Sequence, residues 1–209
     1  MSQVLGLTGQ TGAGKTTVCD ALRARGVPVI DCDLLARDVI DNSKSCLGDL
    51  VLEFGCDVID HNGELNRRKL SSLVFTDRQR LRRLNEITYP HIMRQIEETV
   101  GSYREAGVPL LVLDAPTLYE AGADKLCDAV IALLAPEETR LRRIMARDAL
   151  PEQDARNRIK SQHSDSFYKK RADFVVENSG TQAELLGYVD EILAQVCPAQ
   201  DGIHETANV

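Results

Sequence analysis

Eight consecutive residues, Gly9-Gln10-Thr11-Gly12-Ala13-Gly14-Lys15-Thr16, carry the full pattern of a phosphate-binding loop. The three glycines permit a tight turn in which successive N–H groups point at a polyphosphate. Lys15 supplies a mobile cation for β- and γ-phosphates, and the Thr16 hydroxyl can ligate Mg²⁺ directly. A helix is expected to begin here, with its positive end beneath the anion.

Carboxylates and arginines further along could complete that chemistry. Asp31 and Asp33 end a second apolar run. On a continuing strand, side chains two residues apart share a face. One carboxylate could then accept a proton from a substrate hydroxyl while the other organises Mg²⁺ through water. The alternative for both is ordinary turn chemistry. Asp114 closes Leu110-Leu111-Val112-Leu113 and could act on the same metal through water, or simply end a strand. Arg140, Arg143 and Arg147 lie within about 60° of one another on a helix turning about 100° per residue. Leu141, Ile144 and Met145 form a separate apolar stripe. Such a helix could close over phosphates and stabilise a transferred group, or present a solvated arginine face. Arg158 shares a stripe with Ala155, Ile159 and Gln162, so it needs a partner, either a nucleotide phosphate or a neighbouring carboxylate. His91, after Tyr89-Pro90, could meet a ligand phosphate or cap a helix starting after the proline.

These groups must be held by alternating elements. Apolar runs at 3–7, 27–30, 110–114, 129–134 and 174–176 read as buried parallel strands separated by helical patterns. That alternation predicts an α/β sheet with right-handed crossovers. Ligands in such sheets bind beyond the carboxyl ends of the strands. The glycine loop, Asp31, Asp33, Asp114 and Asn178 all follow apolar runs directly. Val18, Ala21 and Leu22 recur at helical spacing, and Gly26 is placed to end that helix. Two intervals exceed a simple crossover. Residues 34–106 contain several helices, including a basic one over 78–86, and a turn at Asp60-His61-Asn62-Gly63. Residues 137–171 make a pair of polar helices broken around Leu150-Pro151. The expected division is a core of 1–33, 107–136 and 172–196, insertions at 34–106 and 137–171, and a polar tail at 197–209.

The 209 residues include 43% hydrophobic ones, which excludes a disordered chain. No apolar run reaches the roughly 18 residues of a membrane span, and the N-terminus lacks a signal-peptide pattern. Six cysteines without C-x-x-C pairing suit a reduced cytoplasmic setting. A net charge of −7 argues against a broad nucleic-acid surface. Within it, residues 66–94 carry a net +6 and residues 137–171 a net +4. Two basic islands suggest a compact, highly anionic ligand; solvated helix faces are the alternative.

Taken in order, the motifs resemble the dephospho-coenzyme A kinase family over residues 4 to 196. They are Gly6-Leu7-Thr8-Gly9 into Gly14-Lys15-Thr16, Val29-Ile30-Asp31-Cys32-Asp33 with Ala36-Arg37, Val74-Phe75, and Pro90-His91-Ile92. Asp114-Ala115-Pro116 with Leu118-Tyr119-Glu120, Arg143 with Arg147-Asp148, Arg158-Ile159 with Gln162, and Ala172-Asp173 leading to Asn178 complete the series. The resemblance implies a phosphate-loop nucleotide-hydrolase fold of three layers. A five-stranded parallel sheet would carry a helical substrate insertion (34–106) and a helical lid (137–171). It implies ATP as donor, with Mg²⁺, and the ribose 3′-hydroxyl of dephospho-CoA as acceptor. Asp33 would be the base or orienting carboxylate. Lys15, Arg143 and Arg147 would stabilise the moving phosphoryl group. ATP contacts would come from Gly9, Thr11, Gly12, Ala13, Gly14, Lys15, Thr16, Thr17, Arg143 and Arg147, with Asn178 near the adenine. Dephospho-CoA contacts would come from Asp33, Arg37, Tyr89, His91, Pro116, Leu118, Glu120 and Arg158.

The chain departs from the family pattern in places. Gln10 and Thr11 replace the common Gly and Ile, Tyr89 a frequent His, and Thr117 a usual Leu. A kinase of another small anionic metabolite, or a nucleotide-dependent switch protein, are the alternative readings. The switch lacks its usual Asn-Lys-x-Asp base reader.

Overall fold

The computed structural model describes residues 2–197. The expected tail lies outside them, apart from Cys197. Two compact units are present, one built from residues up to Ile30 and from Tyr103 onward, the other from Asp31–Ser102.

In the first unit five strands form one sheet: β1 (Gln3–Gly9), β2 (Val29–Asp31), β3 (Leu110–Asp114), β4 (Ala129–Leu134) and β5 (Phe174–Glu177). Their spatial order is β2-β3-β1-β4-β5. β1 pairs in parallel with both β3 and β4, so Leu5 sits between Val112 and Ala129. Residues Val4 to Gln10 are all buried, as a near-continuous apolar run at the centre of a parallel sheet should be. Helices α1 (Lys15–Ala24) and α10 (Gln182–Val196) share one core with the sheet, in which Val18, Leu22, Leu185 and Val189 meet Leu5, Leu7, Ile131 and Leu133.

Local signals end these elements. Gly26 has φ +77° and closes α1: its N–H donates to the Arg23 carbonyl at 2.9 Å, and that of Val27 donates to the Leu22 carbonyl at 3.0 Å. This bonding delays β2 to Val29. Thr181 and Glu184 cap each other's backbone at the start of α10.

The segment 137–171 holds three helices rather than the expected two: α7 (Glu137–Asp148), α8 (Glu152–Lys160) and a short α9 (Asp165–Lys169). Leu141 and Ile144 pack on Ala155 and Ile159, joining α7 to α8. Arg158, expected on that apolar stripe, is exposed instead.

The second unit begins with a correction. The strand does not continue past Asp31. Helix α2 (Cys32–Asn42) starts at the next residue, with Asp31 as its cap accepting from the Leu34 N–H at 2.9 Å. Asp31 and Asp33 therefore do not project from one strand face; Asp33 stands exposed in the first helical turn. Helices α3 (Lys44–Phe54) and α4 (Arg67–Val74) follow, separated by the predicted turn, where Gly63 has φ +81° and the Asp60 carboxylate accepts from the Asn62 and Glu64 N–H groups. A second correction concerns α5 (Arg78–Glu105), which runs unbroken through Pro90. Proline forfeits one backbone bond. Thr88, Ile92, Ile96 and Val100, buried at helical spacing, outweigh that loss. Cys46, Leu50, Val58, Leu70 and Val74 form this unit's own core.

Gly9 wedges the sheet end. It has φ +132°, and a Cβ there would lie 2.1 Å from the Leu133 carbonyl oxygen. Gly9→Ala is expected to lower stability by more than about 3 kcal/mol in urea unfolding. Gly26→Ala, also at positive φ but in open space, should lose about 1 kcal/mol. Equal losses would contradict the wedge.

Candidate active site

The glycine loop leaves the carboxyl end of β1, where the strand order reverses direction. Gly12 and Gly14 have φ of +80° and +108°. The backbone of Arg140 lies 3.0 Å from where a Gly12 Cβ would sit, and the Asn178 amide lies 2.5 Å from a Gly14 Cβ. No side chain caps the start of α1, and no acidic residue stands in its first turn. Its N–H groups and dipole are thus left for an anion. Lys15, Thr16 and Thr17 form that turn, with Thr16 exposed.

The N–H and carbonyl of a peptide unit point opposite ways, and three successive loop carbonyls here have side-chain donors. The Thr11 carbonyl accepts from Arg140 Nε at 3.0 Å, that of Gly12 from Arg143 Nη1 at 3.1 Å, and that of Ala13 from Asn178 Nδ2 at 2.8 Å. The Ala13 N–H bridges back to the Gln10 carbonyl at 3.0 Å. Gln162 and Asp165 add bonds to Thr11 and Gln10. Arg140 is 5% exposed, and burial pulls its pKa down. It serves the loop's framework rather than a solvated stripe. Arg147 is a fork on its neighbour Asp148, at 2.7 and 2.9 Å. Arg158 pairs with the same carboxylate. These two guanidinium groups hold the Asp148 carboxyl below its ordinary range, Arg147 most strongly.

Asp114 pairs in register with Leu7, beside the loop's origin. It lies against the Cys19 thiol of α1; burial first, and then the Asp114 charge, push that thiol well up. The exposed Thr16 hydroxyl and the half-buried Asp114 carboxylate are hard oxygen donors that suit Mg²⁺. Among the described residues no group of three or more His, Cys, Asp or Glu could hold a metal alone. A cation here would share the oxygens of a bound polyphosphate, the usual habit of Mg²⁺.

The remaining candidates are spread along both units. Thr8 donates to the Pro116 carbonyl at 3.3 Å. Leu118 opens the short helix α6 (Leu118–Ala121) and is fully buried, and a Gly6 Cβ would lie 2.9 Å from it. Its side chain is core packing rather than a ligand contact, because it presents no surface. Glu120 accepts from or faces His163 Nε2 at 2.8 Å, and that ring stacks on Phe167 at 3.7 Å. In the second unit Arg37 is exposed on α2 and Tyr89 is half-buried on α5. His91 caps no helix. Its Nε2 is 2.8 Å from Asp49 Oδ2 across to α3. The loop contacts of Gln162, Asp165 and Asn178 span 151 to 165 residues of chain, and no local spacing signals them.

A family model described as dephospho-CoA kinase matches residues 3–184. The chain belongs to the dephospho-CoA kinase family. It is 34% identical to a dephospho-CoA kinase of Lactobacillus johnsonii over 94% of this chain and 99% of that one. A dephospho-CoA kinase of Anaeromyxobacter dehalogenans is 39% identical over 93% of this chain and 92% of its own. A crystal structure from Thermus thermophilus superposes with a TM-score of 0.76 at 33% identity, covering 93% and 98% of the two chains. Membership makes the chain a phosphate-loop kinase, a phosphotransferase that uses ATP. No helix among the described residues is long and apolar enough to cross a membrane.

Asn178→Asp would replace the donor to the Ala13 carbonyl with an acceptor in a buried position. It should lower stability by about 2–4 kcal/mol, against about 1–2 kcal/mol for Asn178→Ala. Parallel chemical denaturation of the two variants checks the order.

Proposed function

We propose that this chain transfers the γ-phosphoryl group of ATP to the ribose 3′-hydroxyl of dephospho-CoA, giving CoA and ADP. The observation that carries the reading is a complete phosphate loop inside a family match that spans residues 3–184. Lys15 and the loop N–H groups not bonded within the protein, with those at the start of α1, bind and orient the triphosphate. The Thr16 hydroxyl would hold Mg²⁺ directly and Asp114 through water. When bound, Mg²⁺ neutralises charge on the β- and γ-phosphate oxygens. Asp31, which caps α2, would act on that shell through water as well.

In the transfer, the 3′-oxygen bonds to the γ-phosphorus as the bond to the β,γ-bridging oxygen breaks. Asp33 takes or orients the hydroxyl proton from its exposed place in the first turn of α2. Arg143 and Arg147 stabilise the charge on the moving group, which requires each to leave or share its present acceptor. Residues 137–171 serve as the lid and 34–106 as the acceptor unit, with contacts from Arg37, Tyr89, His91, Pro116, Glu120 and Arg158. The reaction belongs in the cytoplasm, whose reducing setting suits six cysteines that form no disulfide among the described residues.

Incubation with Mg-ATP and dephospho-CoA should yield CoA by mass spectrometry. No product above a no-enzyme control, from folded protein, would remove the reading. Asp33→Asn should lower turnover at least about 100-fold, the lower range for a lost general base. Steady-state kinetics of that variant separates a catalytic Asp33 from a bystander, for which turnover would stay near wild type.

A further inference from the structure

Gln162 has no part in the chemistry above, yet its carboxamide makes three bonds. Oε1 accepts from the Thr11 N–H at 3.0 Å and from Arg140 Nη2 at 2.7 Å, while Nε2 donates to the Thr11 hydroxyl at 2.7 Å. Three residues on, Asp165 Oδ1 accepts from Gln10 Nε2 at 2.7 Å. The turn after α8 thus grips the two loop side chains at which this chain departs from the family's common Gly and Ile.

We propose that Gln162 is a positioning residue for the phosphate loop, acting through the Thr11 hydroxyl and N–H to hold the loop ready for a nucleotide polyphosphate. The inference rests on the loop's being the ATP site. Thr11 has its N–H, carbonyl and hydroxyl all engaged, the carbonyl by Arg140. A residue so bonded has one conformation, and a loop ordered in advance loses less entropy when its ligand arrives. A carboxamide offers a neutral acceptor and donor side by side, which matches the N–H and O–H of a single threonine. An apolar residue at position 11 would leave Nε2 of a half-buried glutamine without this partner.

Calorimetric titration of ADP into the wild type, Thr11→Val, Gln162→Leu, the double variant and Thr11→Ser tests the coupling. Each disruptive single variant should bind about tenfold more weakly. The double variant should be within about twofold of Gln162→Leu, because Thr11→Val removes only the hydroxyl bond, which Gln162→Leu removes as well. Thr11→Ser, which keeps the hydroxyl, should recover most of the affinity lost by Thr11→Val. A merely structural role would alter thermal unfolding without producing this pattern in binding constants. Wild-type-like affinity in Thr11→Val, or losses that multiply in the double variant, would overturn the inference. Failure of wild type to bind ADP would instead strike the ATP-site reading on which it rests. If Gln162→Leu does not fold, the contrast between Thr11→Val and Thr11→Ser still decides.

Discussion

A loop that aims its N–H groups at an anion exposes its carbonyls on the other side, and those carbonyls need donors. That constraint organises the first unit of this structure. Three successive carbonyls, of Thr11, Gly12 and Ala13, are met by Arg140, Arg143 and Asn178. The glycines allow the turn, but the donors keep it in one form. A buried amide left without a partner would cost more than any single bond returns, so the three donors are as much a part of the loop as its own residues. The helices of 137–171 have a structural duty here before any catalytic one.

The same constraint explains which features the sequence made legible. Strand positions were readable because burial on both faces forces unbroken apolar runs such as Val4 to Leu7. The end of α1 was readable because only Gly26 takes the left-handed turn at no steric cost. The loop itself was readable from eight residues. Two local rules misled. A proline suggests a helix boundary, yet α5 passes through Pro90 because its buried side chains hold the helix on both sides. Alternation along a strand suggested a shared face for Asp31 and Asp33, but Asp31 caps a helix and ends the alternation there. What no spacing could reveal is the set of contacts that returns from Gln162, Asp165 and Asn178 to the loop. Periodicity reports neighbours along the chain, and these partners are neighbours only through the fold.

The basic islands also look different once their partners are known. In residues 66–94, Arg67 bonds to Asp41, Arg82 to Glu86, and Arg83 to both Glu53 and Glu86. These are exposed pairs, each worth little in water. Much of that positive charge is matched locally, so net charge per segment overstates what remains for a ligand. In 137–171 Arg147 and Arg158 are likewise matched by Asp148, but Arg140 is buried, and its guanidinium is engaged by neutral oxygens of the loop and of Gln162. Charge there is used for its geometry, as a rigid fork of donors.

The order of the strands carries a consequence for how the protein comes into being. Of the five sheet strands β1 is made first, but both of its sheet neighbours lie more than a hundred residues downstream, with Gln3 against Leu110 and Leu5 against Ala129. The donor to the Ala13 carbonyl emerges later still, at Asn178. Long-range pairing of this kind slows folding, because chain entropy is lost before contacts repay it. A nascent chain therefore carries its nucleotide-binding motif well before the residues that complete it have been made.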